Sequence, residues 1–298
     1  MYETALVEFL QTRQIMKQVF QCGRFDLDIG PNRRPLVMGI LNVTPDSFSD
    51  GGKFDHLDRA LSHADAMLAA GVDIIDIGGE SSRPGAPPVP LEQELARVMP
   101  VLYALRDCGT PISIDTYKPD VMREALAAGA DFINDIKGFR ANDALAAVKE
   151  SDCGLCIMHM QSDPLTMQDH PHYEDIVDEV AGFLLQRVQA MEEIGIDRAR
   201  LCLDPGFGFG KTLAHNVTLL QNLGAIAERT GLPVLAGMSR KSMIGELAGR
   251  PPGQRLAGSV AAALAAVARG ARLVRVHDVA ETIDALTVWH ALQGPAAA

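Results

Sequence analysis

The sequence predicts a single closed (β/α)8 barrel, and three observations carry the prediction. Eight short apolar runs recur along the chain, each followed by a polar loop and then by residues with helical spacing. Nearly every run ends in side chains able to do chemistry, rather than in plain turn residues. The length of 298 residues suits one barrel domain. An open doubly wound sheet would share the alternation. The count of eight, and the gathering of polar groups at the strand ends, favour closure.

The elements follow in order. Residues 1–18 place Leu6, Phe9, Leu10 and Ile15 at helical spacing and predict an N-terminal helical extension; residues 19–298 form the barrel domain. Residues 20–29 alternate around Cys22 and Gly23, as a short hairpin covering the barrel bottom would. Strand one is the apolar run 36–41, with its helix at 56–70. The remaining pairs are strand 72–77 with helix 91–106, strand 112–114 with helix 119–128, and strand 131–133 with helix 142–150. Strand 154–158 leads through a long polar loop to helix 174–194. Strand 200–203 pairs with helix 214–229, strand 233–236 with helix 254–268, and strand 272–276 with helix 279–292. Gly71, Gly129, Gly195 and Gly270 sit just past helical segments, the position of a C-terminal cap.

The first strand and its loop carry the most information. Residues 37–52 read VMGILNVTPDSFSDGG: a wholly buried strand changes at Asn42 into a loop crowded with Thr44, Asp46, Ser47, Ser49 and Asp50. The later strand ends follow suit, with GGESSRPG at 78–85, Asp115, Asn134 with Asp135, His159, Asp204 with PGFGFGK, SRKS at 239–242, and Arg275 with His277. Any one of these polar groups has a plain structural use as a cap. Eight sets at one mouth do not.

The unbroken stretch GILNVTPDSFSDGG resembles the signature of the dihydropteroate synthases, pterin-binding enzymes of folate synthesis, and the resemblance extends over roughly residues 22–290. It implies condensation of a hydroxymethyl-dihydropterin diphosphate with para-aminobenzoate, Mg²⁺ as cofactor, a homodimer, and a sulfonamide target. By resemblance Asp115, Asn134, Asp204 and Lys241 hold the pterin: carboxylates accept from the ring N–H groups, the amide does both, and the ammonium donates to the carbonyl. Arg83, Arg275 and His277 are placed on the diphosphate. Asn42 is a metal ligand, with Asp50 as a helper. Ser82, Phe48, Pro84, Phe209 and Ser242 are further substrate contacts around the aminobenzoate slot, and Asp115, Lys241, Arg275 and His277 form the catalytic set. Where the family often has EST, this chain has Glu80-Ser81-Ser82, keeping the hydroxyl and losing a methyl. Two rivals share the pocket: a methyltetrahydrofolate-type methyltransferase and a non-catalytic pterin-binding paralogue. The joint presence of Asn42, Arg83, Lys241 and Arg275 disfavours both.

Other motifs read as structure. Cys153 and Cys156 have redox spacing but lie inside an apolar strand, so all five cysteines read as core or surface thiols of a reducing compartment. The run 206–212 lacks the spacing of a phosphate loop, since position 205 is Pro. It reads instead as a flexible loop that carries Phe209. His170 and His172 lack a third ligand nearby in sequence. A net charge of −11 speaks against nucleic acid or an anionic membrane as partner. Without an apolar run of 18 residues or a secretory core at the start, a cytoplasmic protein is expected.

Overall fold

A computed structural model describes residues 18–44, 53–83 and 85–293, with the side chains of 53–55 left aside. The expected helix at 1–18 falls almost wholly outside them. Strands β1 (Val19–Cys22) and β2 (Phe25–Asp28) form the expected antiparallel hairpin. Eight parallel strands then close into a barrel: β3 (Leu36–Asn42), β4 (Ile74–Gly78), β5 (Ile112–Asp115), β6 (Phe132–Asp135), β7 (Gly154–Met158), β8 (Leu201–Asp204), β9 (Val234–Ala236) and β10 (Ala271–Val276), with β10 returning to β3. The weakest seam is between β8 and β9, which share a single register pair, Leu203 with Val234.

The helices form the outer ring: α1 (Lys53–Ala69), α2 (Leu91–Leu105), α3 (Pro119–Ala127), α4 (Ala144–Val148), α5 (Ile176–Glu193), α6 (Leu213–Gln221), α7 (Leu223–Thr230), α8 (Ser242–Ala248), α9 (Leu256–Val267) and α10 (Val279–Gln293). The four expected cap glycines all have positive φ, from 83° at Gly71 to 103° at Gly129. The expected helix 214–229 is two helices, because Asn222 leaves helical geometry and its amide donates to the Thr218 carbonyl at 2.8 Å. The expected helix 142–150 is shorter, opening from Asp143 in the left-handed region. A helix at 242–248 begins at Ser242, fills the span after β9 and stops at Gly249.

Two apolar layers hold this together. Strand residues facing outward, such as Val37, Ile75, Ile114 and Leu203, pack under the helices. Those facing the axis near the N-terminal ends, Met38, Ile74, Phe132, Cys156, Cys202, Leu235 and Leu273, form a separate plug, and the hairpin closes it with Phe20 and Cys22. Cys156 and Cys202 are buried members of that plug, and Cys153 lies in the outer layer. The interior is therefore apolar at the bottom, and any polar site must sit above it.

The hairpin is pinned by one ion pair. The Asp131 carboxylate, 1% exposed, accepts from Arg24 Nε at 2.8 Å and Nη2 at 3.0 Å and from the Ile112 amide at 3.1 Å. Arg24→Ala should cost about 1–3 kcal/mol, since it strips a buried carboxylate of its charged donor. Urea unfolding checks this; a loss below a few tenths of a kcal/mol would make the hairpin a passive cover.

Candidate functional site

The polar site starts one residue layer above the plug. β4 is buried on both faces and should be wholly apolar, but at Asp76 it is not. Asp76 is fully buried and accepts three bonds: from Ser113 Oγ on β5 at 2.5 Å, from Asn134 Nδ2 on β6 at 3.2 Å, and from Arg275 Nε on β10 at 2.6 Å. Arg275 Nη2 then reaches Asp115 Oδ2 on β5 at 2.8 Å. One guanidinium thus joins two carboxylates across the barrel. Burial alone would lower the Arg275 pKa, but Asp76 and Asp115 raise it well above the ordinary value. One cation cannot compensate both anions: burial pushes Asp115 up to about 7 against the pull of Arg275, and Asp76 and Glu94 add to the rise.

On the far side of the mouth Asp204 is 4% exposed and accepts from the Gly206 amide at 2.7 Å. Burial raises its pKa; Lys241 and that amide oppose the rise. Lys241 donates to the Phe207 carbonyl and stands 4.4 Å over the Phe209 ring. Its own pKa falls to about 8 through burial, although Asp204 pulls the other way. Phe209 is buried with Ile136, Met158, Met160 and Met167. The expected set Asp115, Asn134, Asp204, Lys241, Phe209 and Arg275 is therefore brought to one place. A small cleft opens beside Asp115, with Ser82 and Thr116 in its wall.

The rim holds the rest. His277 Nδ1 lies 3.2 Å from Ser239 Oγ, which also accepts from the His277 amide at 3.2 Å. In the tautomer where Ser239 gives its proton to Nδ1, Nε2–H is a free donor. Burial and Arg275 drop the imidazole pKa to about 3, so His277 is neutral. Arg83 is exposed and close enough to His277 to be felt in its titration. Ser242 is exposed at the first residue of α8. Asn42 ends β3, and its Oδ1 faces the space beside Gly78, 3.3 Å from where a Cβ there would stand. Phe48, Asp50 and Pro84 lie outside the described residues.

Two expectations change. Arg275 is not a free clamp at the rim beside Arg83; its Nε and Nη2 are taken up by Asp76 and Asp115, because two buried carboxylates demand a cation. The 205–210 loop, expected to be flexible, is tied down. Gly208 N–H donates to Asn216 at 2.7 Å, and the Gly210 carbonyl accepts from Tyr173 at 2.8 Å. Asp76 was missed in the sequence, where the signal was a charge inside an otherwise apolar strand.

The chain matches the model of the pterin binding enzymes over residues 38–277. It is 50% identical over 280 residues to a dihydropteroate synthase of Neisseria meningitidis serogroup C, covering 93% of this chain and 98% of that protein. A crystal structure of Burkholderia cenocepacia dihydropteroate synthase complexed with 7,8-dihydropteroate superposes with a TM-score of 0.84 at 54% identity, over 93% of this chain and 97% of that one. The Xanthomonas albilineans enzyme with 4-aminobenzoic acid gives 0.87 at 52%, over 94% and 100%.

The shared guanidinium makes a pH-dependent prediction. In the fold Asp115 holds its proton up to about 7, above the ordinary value of a carboxyl group. Between those values the folded state binds more protons, so this group's contribution to stability falls as pH rises. Arg275→Met removes the compensating charge. It should cost about 3–5 kcal/mol at pH 8 and clearly less at pH 5, where Asp115 can take up a proton. Urea midpoints at the two pH values check this, and equal losses would mean that Asp115 does not sense Arg275.

Proposed function

Because this chain belongs to the pterin-binding enzyme family, as one of its dihydropteroate synthases, we propose that the polar layer above the plug holds the pterin and that the loops over it hold 4-aminobenzoate. The product is 7,8-dihydropteroate. The reading is supported above all by one observation: two carboxylates, an amide and an ammonium from beyond four strands gather over an apolar floor. A flat heterocycle with adjacent N–H donors and one carbonyl needs that set.

Asp204 and Asn134 meet the amino-pyrimidinone edge and Lys241 its carbonyl. Asp115 lies across from Asp204 and takes the other side of the ring. The substrate's diphosphate leaves from the exocyclic methylene, and the positive charge that develops there spreads into the ring. Asp115, once ionised, is placed to stabilise it. Arg275 acts through Asp115 and Asp76, holding both carboxylates in place. At the rim Arg83 and the Nε2–H of His277 receive the departing anion. The amine of 4-aminobenzoate then attacks, between Phe209 and Lys241, with its carboxylate toward Ser242. No side chain needs to become covalently attached.

Among the described residues no group of three or more His, Cys, Asp or Glu side chains could hold a metal. Mg²⁺ does not need one: it keeps several waters and leans on substrate phosphates, so a single amide oxygen such as that of Asn42 suits it. The residues present therefore fit Mg²⁺, which when bound would neutralise charge on the leaving diphosphate; Asp50 is its proposed helper. A homodimer in the cytoplasm completes the reading. Leu247, Leu256, Val288 and Leu292 are exposed on α8, α9 and α10, next to one another in the ring, and no helix among the described residues is long and apolar enough to cross a membrane. Light scattering should give twice the chain mass of 32.0 kDa.

The decisive experiment is incubation with hydroxymethyl-dihydropterin diphosphate, Mg²⁺ and 4-aminobenzoate, with chromatographic detection of dihydropteroate. Asp204→Asn should weaken pterin binding by about 1–3 kcal/mol, or roughly five- to 150-fold, because an amide presents a donor to a donor. Calorimetric titration measures it, and unchanged affinity would remove Asp204 from the pocket. Removing Mg²⁺ with a chelator should abolish turnover while leaving the affinity for a phosphate-free pterin unchanged. A chelator effect on both would point to a structural metal instead.

A further inference from the structure

Lys211 has no part in the chemistry above, yet it is 3% exposed beneath the mouth. Among the described residues no carboxylate is within ion-pair distance of it. Its Nζ has three neighbours: His159 Nδ1 at 2.9 Å, the Phe209 carbonyl at 3.0 Å and the His159 carbonyl at 3.4 Å. An ammonium carries three hydrogens, and three acceptors surround it. Burial and Lys211 itself lower the His159 pKa to about 2, so the ring is neutral and Nδ1 accepts. This is a cation seat built from neutral acceptors.

The 205–210 loop wraps this seat. Gly206, Gly208 and Gly210 have φ of 71°, 78° and 62°, and a Cβ on Gly206 would stand 1.9 Å from the His159 carbonyl oxygen. From outside, Gln168 donates to the Gly208 carbonyl at 2.7 Å. The result of this winding is the placement of Phe209 under Lys241 and of the Phe207 carbonyl on its ammonium.

We propose that Lys211 is a positioning residue: its ammonium, seated on His159 and the Phe209 carbonyl, shapes the 205–210 loop and so presents Phe209 and Lys241 to 4-aminobenzoate. The inference rests on the reading of Phe209 and Lys241 as walls of the aminobenzoate slot. It adds a pH dependence. The charged or titratable groups around the seat are Asp204 on β8, Lys241 after β9, His159 after β7, Arg140 on the loop after β6 and His215 on α6. Burial lowers the Lys211 pKa to about 7, with Asp204 opposing the drop and Lys241 adding to it. Above that pH two hydrogens must serve three acceptors, and the loop loosens.

The test measures KM for 4-aminobenzoate at saturating pterin diphosphate from pH 6 to 9, and pterin affinity by calorimetry. Wild-type KM should climb about tenfold across the range. Lys211→Met should raise it about tenfold at pH 6, remove the rise centred near pH 7 while keeping any rise that Lys241 causes near pH 8, and leave pterin affinity within twofold. Lys211→Arg stays protonated, so its profile should also lack the rise near pH 7. Phe209→Ala is the control for the slot. If it raises KM and Lys211→Met does not, the inference fails alone. If it leaves KM unchanged, the slot reading fails and the inference falls with it. Equal loss of pterin and aminobenzoate binding in Lys211→Met would make Lys211 a plain structural residue. Should that variant not fold, a flat wild-type profile overturns the proposal.

Discussion

The upper half of the barrel depends on one guanidinium shared by two buried carboxylates. Asp76 and Asp115 lie on neighbouring strands and Arg275 comes from β10, two strands from β4 round the barrel through β3. Two anions this deep repel each other and each loses its hydration. Arg275 makes their coexistence possible, and its two bonds fix the direction of both. Asn134 and Ser113 are then oriented by what remains of Asp76. A buried ion triad is poor value as a source of stability. Its presence is better explained by what it holds in place than by what it adds to folding.

The position of this layer follows from the layer beneath. Phe132, Met38, Cys156, Cys202 and Leu273 fill the axis, and the hairpin seals it with Phe20. Water is kept out from below, so the polar groups above face one opening. That dryness explains the direction of the titrations. Burial leads the shifts of five groups at the mouth, upward for Asp115 and Asp204 and downward for Lys241, Lys211 and His277. Arg275 is the exception, raised by its two carboxylates against burial.

Much of this was legible in the chain. Period and punctuation gave eight βα units, and the strand-end rule gave Asp115, Asn134, Asp204, Lys241 and Arg275 as one group. The helix break at Asn222 was not legible, since it is set by a local polar bond that leaves the apolar spacing almost unchanged. Asp76 was hidden by its company: a lone acid between isoleucines looks like a strand irregularity until its partner, 199 positions away, is found. The pairing of Arg275 with Asp76 and Asp115 was not legible, because those carboxylates are distant in sequence. Lys211 sat inside a motif set aside for its spacing, although the lysine itself had a use.

Charge balance ties these layers to the order of the chemistry. Among the groups at the mouth, Asp76, Asp115 and Asp204 are set against Arg275, Lys241 and Lys211. Fully ionised, these six balance, which suits an uncharged ring that must bind without carrying an ion with it. The rim differs. Arg83 is cationic, and the neutral His277 beside it offers a donor without a charge. The mouth therefore grades from balanced to positive, and a ligand with a neutral head and an anionic tail has one favourable direction. Departure of the anion reverses the gradient's effect on the methylene left behind. On the proposed reading Asp115, whose compensation by Arg275 is shared with Asp76, is the carboxylate placed to stabilise the cation so formed.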